Sequence, residues 1–349
     1  LKNLEDNSFT LIIRKTNYQK IKKKLGNKFK YLPTISKHYS FKEQILLPKI
    51  LNQKDFDLIH FPHFNIPLLY KKQFVVTIHD LIKHKSKGPK TTTKNLLFYW
   101  LKYFFYKLIF KSAVFKAKKI IVPSEWVKRE LEKTYPQLDT KKIKVIYEGV
   151  EDKFYKKVLD KTKQKILKKH KINQPYLIYV GSIYPHKNIQ RLIKALKKYN
   201  YENKLNLVIV GSRNIFLKRL KKQLAKLAAR EFVFTPGFVN DQDLIALYQQ
   251  AEAFITPSLM EGFGLPGLEA MASGCAVVSS NASCLPEIYN NAALYFDPFS
   301  VEDIYKKIRL IVNNAKLQEE LKQKGKKRAQ KFTWEQCVQK TVEVYKKIN

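Results

Sequence analysis

Arginine is scarce in a chain otherwise crowded with positive charge: only eight of its 67 basic side chains are arginine, and only 29 residues are acidic. Recognition of bases and phosphates by nucleic-acid modules leans on the two-pronged arginine fork. No arginine cluster and no recognisable nucleic-acid motif occurs, so a nucleic-acid-binding module is the most remote reading and no nucleic-acid partner is expected. Cysteine is scarcer still. Cys275, Cys284 and Cys337 form no C-x-x-C pair and no metal-ligand spacing, which argues against a disulfide scaffold or a zinc site and suits reduced thiols in the cytoplasm. Long apolar runs are missing too. No stretch of about 18 uncharged apolar residues is present, so no membrane-spanning helix is expected. The chain opens on Leu1 without the basic and apolar regions of a signal peptide. Residues upstream of Leu1 are expected to be missing.

What is present suffices for packed cores. A hydrophobic fraction of 45% with 13% aromatics separates the chain from disordered sequences, and 349 residues suit two domains of ordinary size. The net charge of +38 is unevenly placed: residues 1–170 hold 40 basic and 14 acidic side chains, the remainder 27 and 15. A general lysine bias spread over solvated faces accounts for such runs. The skew toward the first half also fits attraction to an anionic surface.

Short apolar runs alternate with helical patterns throughout, as in parallel α/β sheets. Expected strands in the first half are Phe9–Ile13, Asp57–Phe61, Phe74–Ile78, Lys119–Val122 and Ile143–Ile146. In the second half they are Tyr176–Val180, Leu205–Val210, Phe232–Phe234, Ala253–Thr256, Ala276–Ser279 and Ala293–Phe296. The lysine-rich stretch Glu151–Gln174, poor in apolar periodicity except around Ile166–Leu167, reads as the connection between them. The fold class is therefore α/β, with two Rossmann-like, doubly wound lobes facing each other across a cleft where ligands of such sheets bind. The first lobe is assigned to residues 1–165 and the second to 166–332. An amphipathic helix over 333–349 is free to return to the first lobe.

The most informative stretch is Thr256–Gly274, T-P-S-L-M-E-G-F-G-L-P-G-L-E-A-M-A-S-G. A buried strand leads into a glycine-containing loop, Pro266 stands where a helix would start, and Gly274 stands where it would stop. Free N–H groups and the positive dipole end make such a helix start a natural anion site. Gly262 and Gly264 let the backbone approach a ligand. Glu269 is placed in the first turn, where its carboxylate either turns toward ligand hydroxyls or merely complements the dipole.

E-G-F-G-L-P-G-L-E, from Glu261 to Glu269, resembles the E-x7-E motif of family-four retaining glycosyltransferases of the GT-B fold. V-G-S-I-Y-P-H-K-N (Val180–Asn188) is similar to that family's phosphate-binding segment, and T-P-G-F-V (Thr235–Val239) to its loop beside the nucleotide base. V-V-T-I-H-D-L (Val75–Leu81) and V-P-S-E-W-V-K-R-E-L (Val122–Leu131) resemble its first-lobe signatures. The resemblance implies a hexosyltransferase that uses a nucleoside diphosphate sugar, GDP-mannose or a UDP-sugar, and a glycan or lipid-linked acceptor, with retention of configuration and no cofactor or metal. Glu261, Lys187 and His79 would be catalytic: Glu261 and His79 against the sugar from opposite lobes, Lys187 against the diphosphate. Glu269 would hold the ribose hydroxyls, and the backbone of Phe263, Gly264 and Leu265, beside Gly262, would line the sugar and phosphates. Gly181, Ser182 and His186 would serve the phosphates, and Phe238 and Val239 the base.

The chain departs from the family at three places. His186 stands where many relatives carry arginine, so less fixed charge faces the phosphates. Gly267 replaces a branched apolar residue and weakens the helix start. Nothing before Phe9 resembles the family's first strand and glycine-rich loop, which leaves a truncated or inactive nucleotide-sugar-binding pair of lobes as an alternative, with a sugar-nucleotide epimerase behind it. Two D-x-D strings, Asp55–Asp57 and Asp241–Asp243, are read as the approach to a strand and as a helix cap with first-turn acids, not as metal ligands.

The segment Lys94–Lys119 packs aromatic and aliphatic residues between lysines. Lys102 and Lys107 make it too charged to span a bilayer, and its apolar arc is wide for a helix with one buried side. It reads as a buried helix of the first lobe or as a dock on an anionic membrane. The second reading puts the protein peripherally on the inner membrane face.

Overall fold

The computed structural model describes residues 8–36, 38–88, 91–92, 95–211 and 215–348. In the first half the elements are β1 (Thr10–Arg14), α1 (Tyr18–Leu25), β2 (Lys30–Thr34), α2 (Phe41–Asn52), β3 (Ile59–Phe61) and β4 (Phe74–Thr77). Then come α3 (Ile82–Lys85), α4 (Leu96–Lys116), β5 (Lys119–Val122), α5 (Glu125–Thr134) and β6 (Ile143–Val145). The second half begins with α6 (Asp160–His170), β7 (Tyr176–Val180), α7 (Ile189–Tyr199), β8 (Asn206–Val210), α8 (Ile215–Lys226) and β9 (Val233–Gly237). It continues through α9 (Asp241–Gln250), β10 (Ala253–Thr256), α10 (Leu265–Ala272), β11 (Val277–Ser280), α11 (Leu285–Tyr289) and β12 (Leu294–Phe296). It closes with α12 (Val301–Val312), α13 (Ala315–Ala329) and α14 (Trp334–Lys346).

All described strands pair in parallel. The second sheet runs β12-β11-β10-β7-β8-β9. It winds outward in both directions from β7 and β10, and so has a switch point between them. In the first lobe the winding is split: β3-β4-β5-β6 lie in sequence order, while among the described residues β1 and β2 pair only with each other. Strand β2 contains Pro33, which lacks the ladder's N–H donor, and it forms one side of a two-stranded ribbon where both strands are edges.

The six-stranded sheet is covered on both faces, and the four-stranded one carries α4 and α5 on one face and α14 on the other. The first core gathers Phe74, Val76 and Ile120 from the strands with Phe110, Val114, Val127 and Leu131 from α4 and α5. The boundary expected after residue 165 falls inside α6. Ile166 and Leu167 of that helix, with Val150 and Phe154 before it, already pack in the second lobe's core. The periodicity that builds α6 is short, two apolar residues among many lysines, because only one edge of the helix is covered. Helix α14, capped by Thr333, returns to the first lobe: Val344 packs with Val75, Ile121 and Ile146, and the Tyr345 hydroxyl lies 2.5 Å from His60 Nδ1.

Candidate active site

The loops that leave β7 and β10 diverge at the switch point, and they are laced together. The Leu259 N–H donates to the His186 carbonyl (2.8 Å). Asn188, buried and left-handed at φ 58°, donates its side-chain amide to the carbonyls of Pro257 (3.0 Å) and Pro298 (2.7 Å). Asparagine tolerates that backbone better than most residues, and its amide satisfies two carbonyls that burial would otherwise leave unpaired. This bracing fixes the residue before it. Lys187 Nζ lies 2.6 Å from Glu261 Oε1, and the same oxygen accepts from Ser258 Oγ (2.7 Å). The two ion-paired side chains are only 15% and 17% exposed. Two of the three expected catalytic residues therefore meet, one from each side of the switch point.

His186 supplies no fixed charge. Burial, and then the neighbouring Lys187, pushes its imidazole down to about 4, and the ring stacks on Tyr184. Gly181 precedes it with its N–H on the Val210 carbonyl, and the Ser182 carbonyl accepts from Tyr179 Oη (2.7 Å).

Gly264 is left-handed at φ 95° and caps α10. The left-handed turn carries the chain into the helix at once, so Leu265 is its first residue and Pro266 its second. Glu269 is consequently the fifth residue, in the second turn, and not in the first as expected. It therefore cannot serve merely to offset the first-turn dipole. Burial, reinforced by Asp241 and opposed by Lys153, pushes the Glu269 carboxyl up to about 7. Among the described residues no group donates a hydrogen bond to it. Gly274, at φ 79°, ends the helix as expected. Its N–H reaches Met271 (3.0 Å) and that of Cys275 reaches Ala270 (2.9 Å), the paired bonds of a Schellman close.

Gly267 has a partner that the sequence did not reveal. A Cβ there would stand 2.2 Å from the Tyr289 hydroxyl, and that hydroxyl donates to the Gly264 carbonyl (2.6 Å). Tyr289 is fully buried. It reaches the glycine loop through the space that Gly267 leaves open.

From the first lobe, His79 directs both ring nitrogens into its own lobe: Nδ1 to Glu148 Oε1 (2.9 Å) and Nε2 to the Pro62 carbonyl (3.0 Å). Two acceptors call for the doubly protonated ring, and the Glu148 hydrogen bond is the main cause that raises its pKa. A sugar contact through the ring requires one of these bonds to part. The backbone of His79 is what reaches across, since a Cβ on Gly262 would stand 2.0 Å from its carbonyl oxygen. Asp80 caps the next turn by accepting from the Ile82 N–H (2.8 Å). Two further ties close the lobes. Ser124 Oγ donates to the Gly262 carbonyl (2.7 Å), and the Glu287 carboxylate accepts from the N–H groups of Glu125 (2.7 Å) and Trp126 (2.9 Å) at the start of α5.

Other expected contacts are placed differently. Strand β9 continues to Gly237, so the stretch read as a loop beside the base is largely strand. Phe238 beyond it is 80% exposed, whereas Val239 is buried in the core and its side chain is unavailable to a ligand. The Phe263 ring is buried against Tyr147 and Phe332, leaving its backbone as its contribution to the loop. Of the D-x-D strings, Asp241 pairs with Lys153 (2.6 Å), and Asp243 with Lys169 (2.6 Å) and His170 (2.8 Å). Asn240 caps α9. Sequence reasoning missed Asn188, Ser258, Ser124, Glu287 and Tyr289 as positioning residues. Only Asn188 carried a signal, as the last letter of P-H-K-N.

Comparison with known proteins bears on both lobes. The model of Glycosyltransferase Family 4 matches residues 21–154, and that of Glycosyl transferases group 1 matches residues 160–328. O-antigen chain mannosyltransferase B of Escherichia coli is 36% identical over 52% of this chain. O-antigen chain mannosyltransferase RfbU of Salmonella typhimurium is 33% identical over 72% of it. The chain spans 48% and 63% of the lengths of these two relatives. Among solved structures, Anabaena HepE, crystallised in complex with UDP-glucose, superposes with a TM-score of 0.76 at 16% identity, over 95% of this chain and 89% of that one.

Proposed function

Because the chain belongs to the family-four-like glycosyltransferases of the GT-B fold, we propose that it moves a hexose from a nucleoside diphosphate sugar to a hydroxyl of a glycan or lipid-linked acceptor, with retention. Mannose from GDP-mannose is the favoured donor group, since the similar curated proteins are named as mannosyltransferases. A UDP-sugar is the competing donor. The observation that carries this reading is the Lys187–Glu261 pair at the switch point, beside the start of α10 and beneath the contact between Gly262 and His79.

In the proposed reaction the bond from the anomeric carbon to the diphosphate oxygen breaks and a bond from that carbon to the acceptor oxygen forms. The departing phosphate oxygen takes the acceptor's proton. Lys187 and the N–H groups opening α10 meet the charge that grows on the diphosphate. Glu261, held by Lys187 and Ser258, contacts the sugar. The lobe contact excludes water and fixes the approach of the acceptor. Screening sugar nucleotides for protection against thermal unfolding identifies the donor, and NMR of the product's anomeric proton reads the configuration. Protection by none of them, in a folded sample, would overturn the reading.

Glu269 supplies a second test. A carboxylate raised to about 7 accepts two ribose hydroxyls only when ionised, so affinity for a sugar nucleotide is expected to fall about tenfold between pH 8 and pH 6. Without ligand the sign is opposite. The raised pKa favours the folded state at low pH, and that contribution disappears as pH rises through about 7. Glu269→Gln should weaken binding by roughly 1.5–3 kcal/mol at pH 8 and flatten the pH dependence. Calorimetry showing unchanged affinity in the folded variant would sink the ribose assignment.

Turnover is expected to survive EDTA. The Asp241 and Asp243 carboxylates are already held by Lys153, Lys169 and His170, and Lys187 stands where a cation would serve the diphosphate. Loss of activity in EDTA with rescue by Mg²⁺ or Mn²⁺ would show otherwise.

A further inference from the structure

Helix α4 has two apolar faces. Tyr106, Phe110, Ala113 and Val114 are buried in the first lobe's core. On the opposite side Leu97, Trp100, Leu101, Phe104 and Leu108 recur at helical spacing and are 82%, 46%, 52%, 63% and 45% exposed. A helix apolar all round is ordinarily covered all round, and singly scattered apolar residues need no explanation whereas a continuous stripe does. The stripe is widened by α2. Phe41 meets Phe105 edge-to-face at 5.9 Å, and Phe41 and Ile45, one turn apart, are 74% and 63% exposed.

Charge selects what covers this face. Helix α4 contains no acidic residue, and Lys102, Lys111 and, on α2, Lys42 and Lys49 are exposed around the stripe. The Lys102 ammonium lies 4.7 Å from the Phe98 ring centroid. Residues 1–170 carry a net +26. A second copy of the chain would set two such halves against each other, with like charges opposed. An anionic bilayer offers the complement, apolar depth for the aromatic stripe and negative headgroups for the lysines. Among the described residues no helix is long and apolar enough to cross a membrane. We propose that the outer faces of α4 and α2 form a dock that lies in the headgroup region of an anionic membrane.

The start of the dock touches the second lobe. The Gly88 N–H donates to Tyr99 Oη at the start of α4 (2.9 Å), and Arg219 of the second lobe donates to the Thr92 carbonyl just before it (3.0 Å). These two bonds tie the start of the docked face to Gly88 and to the second lobe. If the transferase reading holds, this favours an acceptor whose hydroxyl is carried on a lipid. The dock itself does not depend on that reading.

Sedimentation with phosphatidylcholine vesicles containing increasing phosphatidylglycerol, at low and high salt, tests the dock without donor or turnover. Binding is expected to rise with anionic lipid and fall with salt. The exposed-face variant Trp100→Glu/Phe104→Glu should bind about tenfold more weakly or less, with an unchanged melting temperature. A matched Lys102→Gln/Lys111→Gln variant should lose most of the salt-sensitive part. Absence of binding to any vesicle, or equal binding by wild type and the glutamate variant, overturns the proposal. A concentration-dependent dimer that the glutamate variant abolishes assigns the face to self-association instead.

Discussion

Replacing Lys187 with alanine is expected to lower turnover by about two to three orders of magnitude, the scale for removing a fixed charge aimed at a developing anion. The effect should fall on the chemical step. Burial is the main cause that lowers the His186 pKa and it survives the substitution, so the adjacent ring is a poor substitute for the missing charge. The variant also deprives Glu261 of its partner, and a broken buried pair costs roughly 3–5 kcal/mol when burial is complete. Here Ser258 still donates to the carboxylate, so the loss of stability should be smaller. Lys187→Ala/Glu261→Gln should recover the melting temperature, which assigns the stability loss to the unpaired carboxylate. Near wild-type turnover in Lys187→Ala would transfer the role to another lysine.

Gly262→Ala is expected to reduce turnover by about a hundredfold or more while each lobe stays folded. The added Cβ would lie 2.0 Å from the His79 carbonyl oxygen and 3.0 Å from its carbon. Both are backbone atoms, so no side chain can swing away. The lobes must separate, and misplacement by about 1 Å costs on the order of a hundredfold when reactants are held for in-line contact. If the proposed donor site lies in the second lobe, sugar-nucleotide binding should persist in the variant. Small-angle scattering should report a wider molecule. A folded Gly262→Ala enzyme of normal activity would mean that this lobe contact is not the reacting arrangement.

Much of the second lobe was legible because its strands are buried on both faces and read as unbroken apolar runs. Tyr176–Val180 and Ala253–Thr256 are strands over those residues, as is Lys119–Val122 in the first lobe. Strand β2 was hidden by Pro33 and by its lack of a buried face. Helix α6 was hidden by lysines around only two core residues. In the site, local signals located the glycine loop and P-H-K-N, but not the bonds between them. Ser258, Asn188 and Tyr289 act through contacts with distant segments, which leave no periodicity in sequence. Glu287 stands in the first turn of the short helix α11, and nothing in the local sequence marks it for a longer reach. Its carboxylate instead serves the N-terminus of α5 in the other lobe. The orientation of His79 followed from Glu148 and Pro62, neither of which the sequence reading had joined to it.

The fit between Gly267 and Tyr289 also constrains the order in which this loop can change. A larger residue at 267 arriving first collides with the tyrosine ring, whose Cζ would be 2.3 Å from the new Cβ. A smaller residue at 289 arriving first opens a void and releases the Gly264 carbonyl. The shorter step is at 289, because a void is repaired by the next substitution while a collision must first be survived. A library that varies residues 261–269 with position 289 held constant therefore samples mostly blocked routes. Varying the two positions together opens the path to a larger residue at 267.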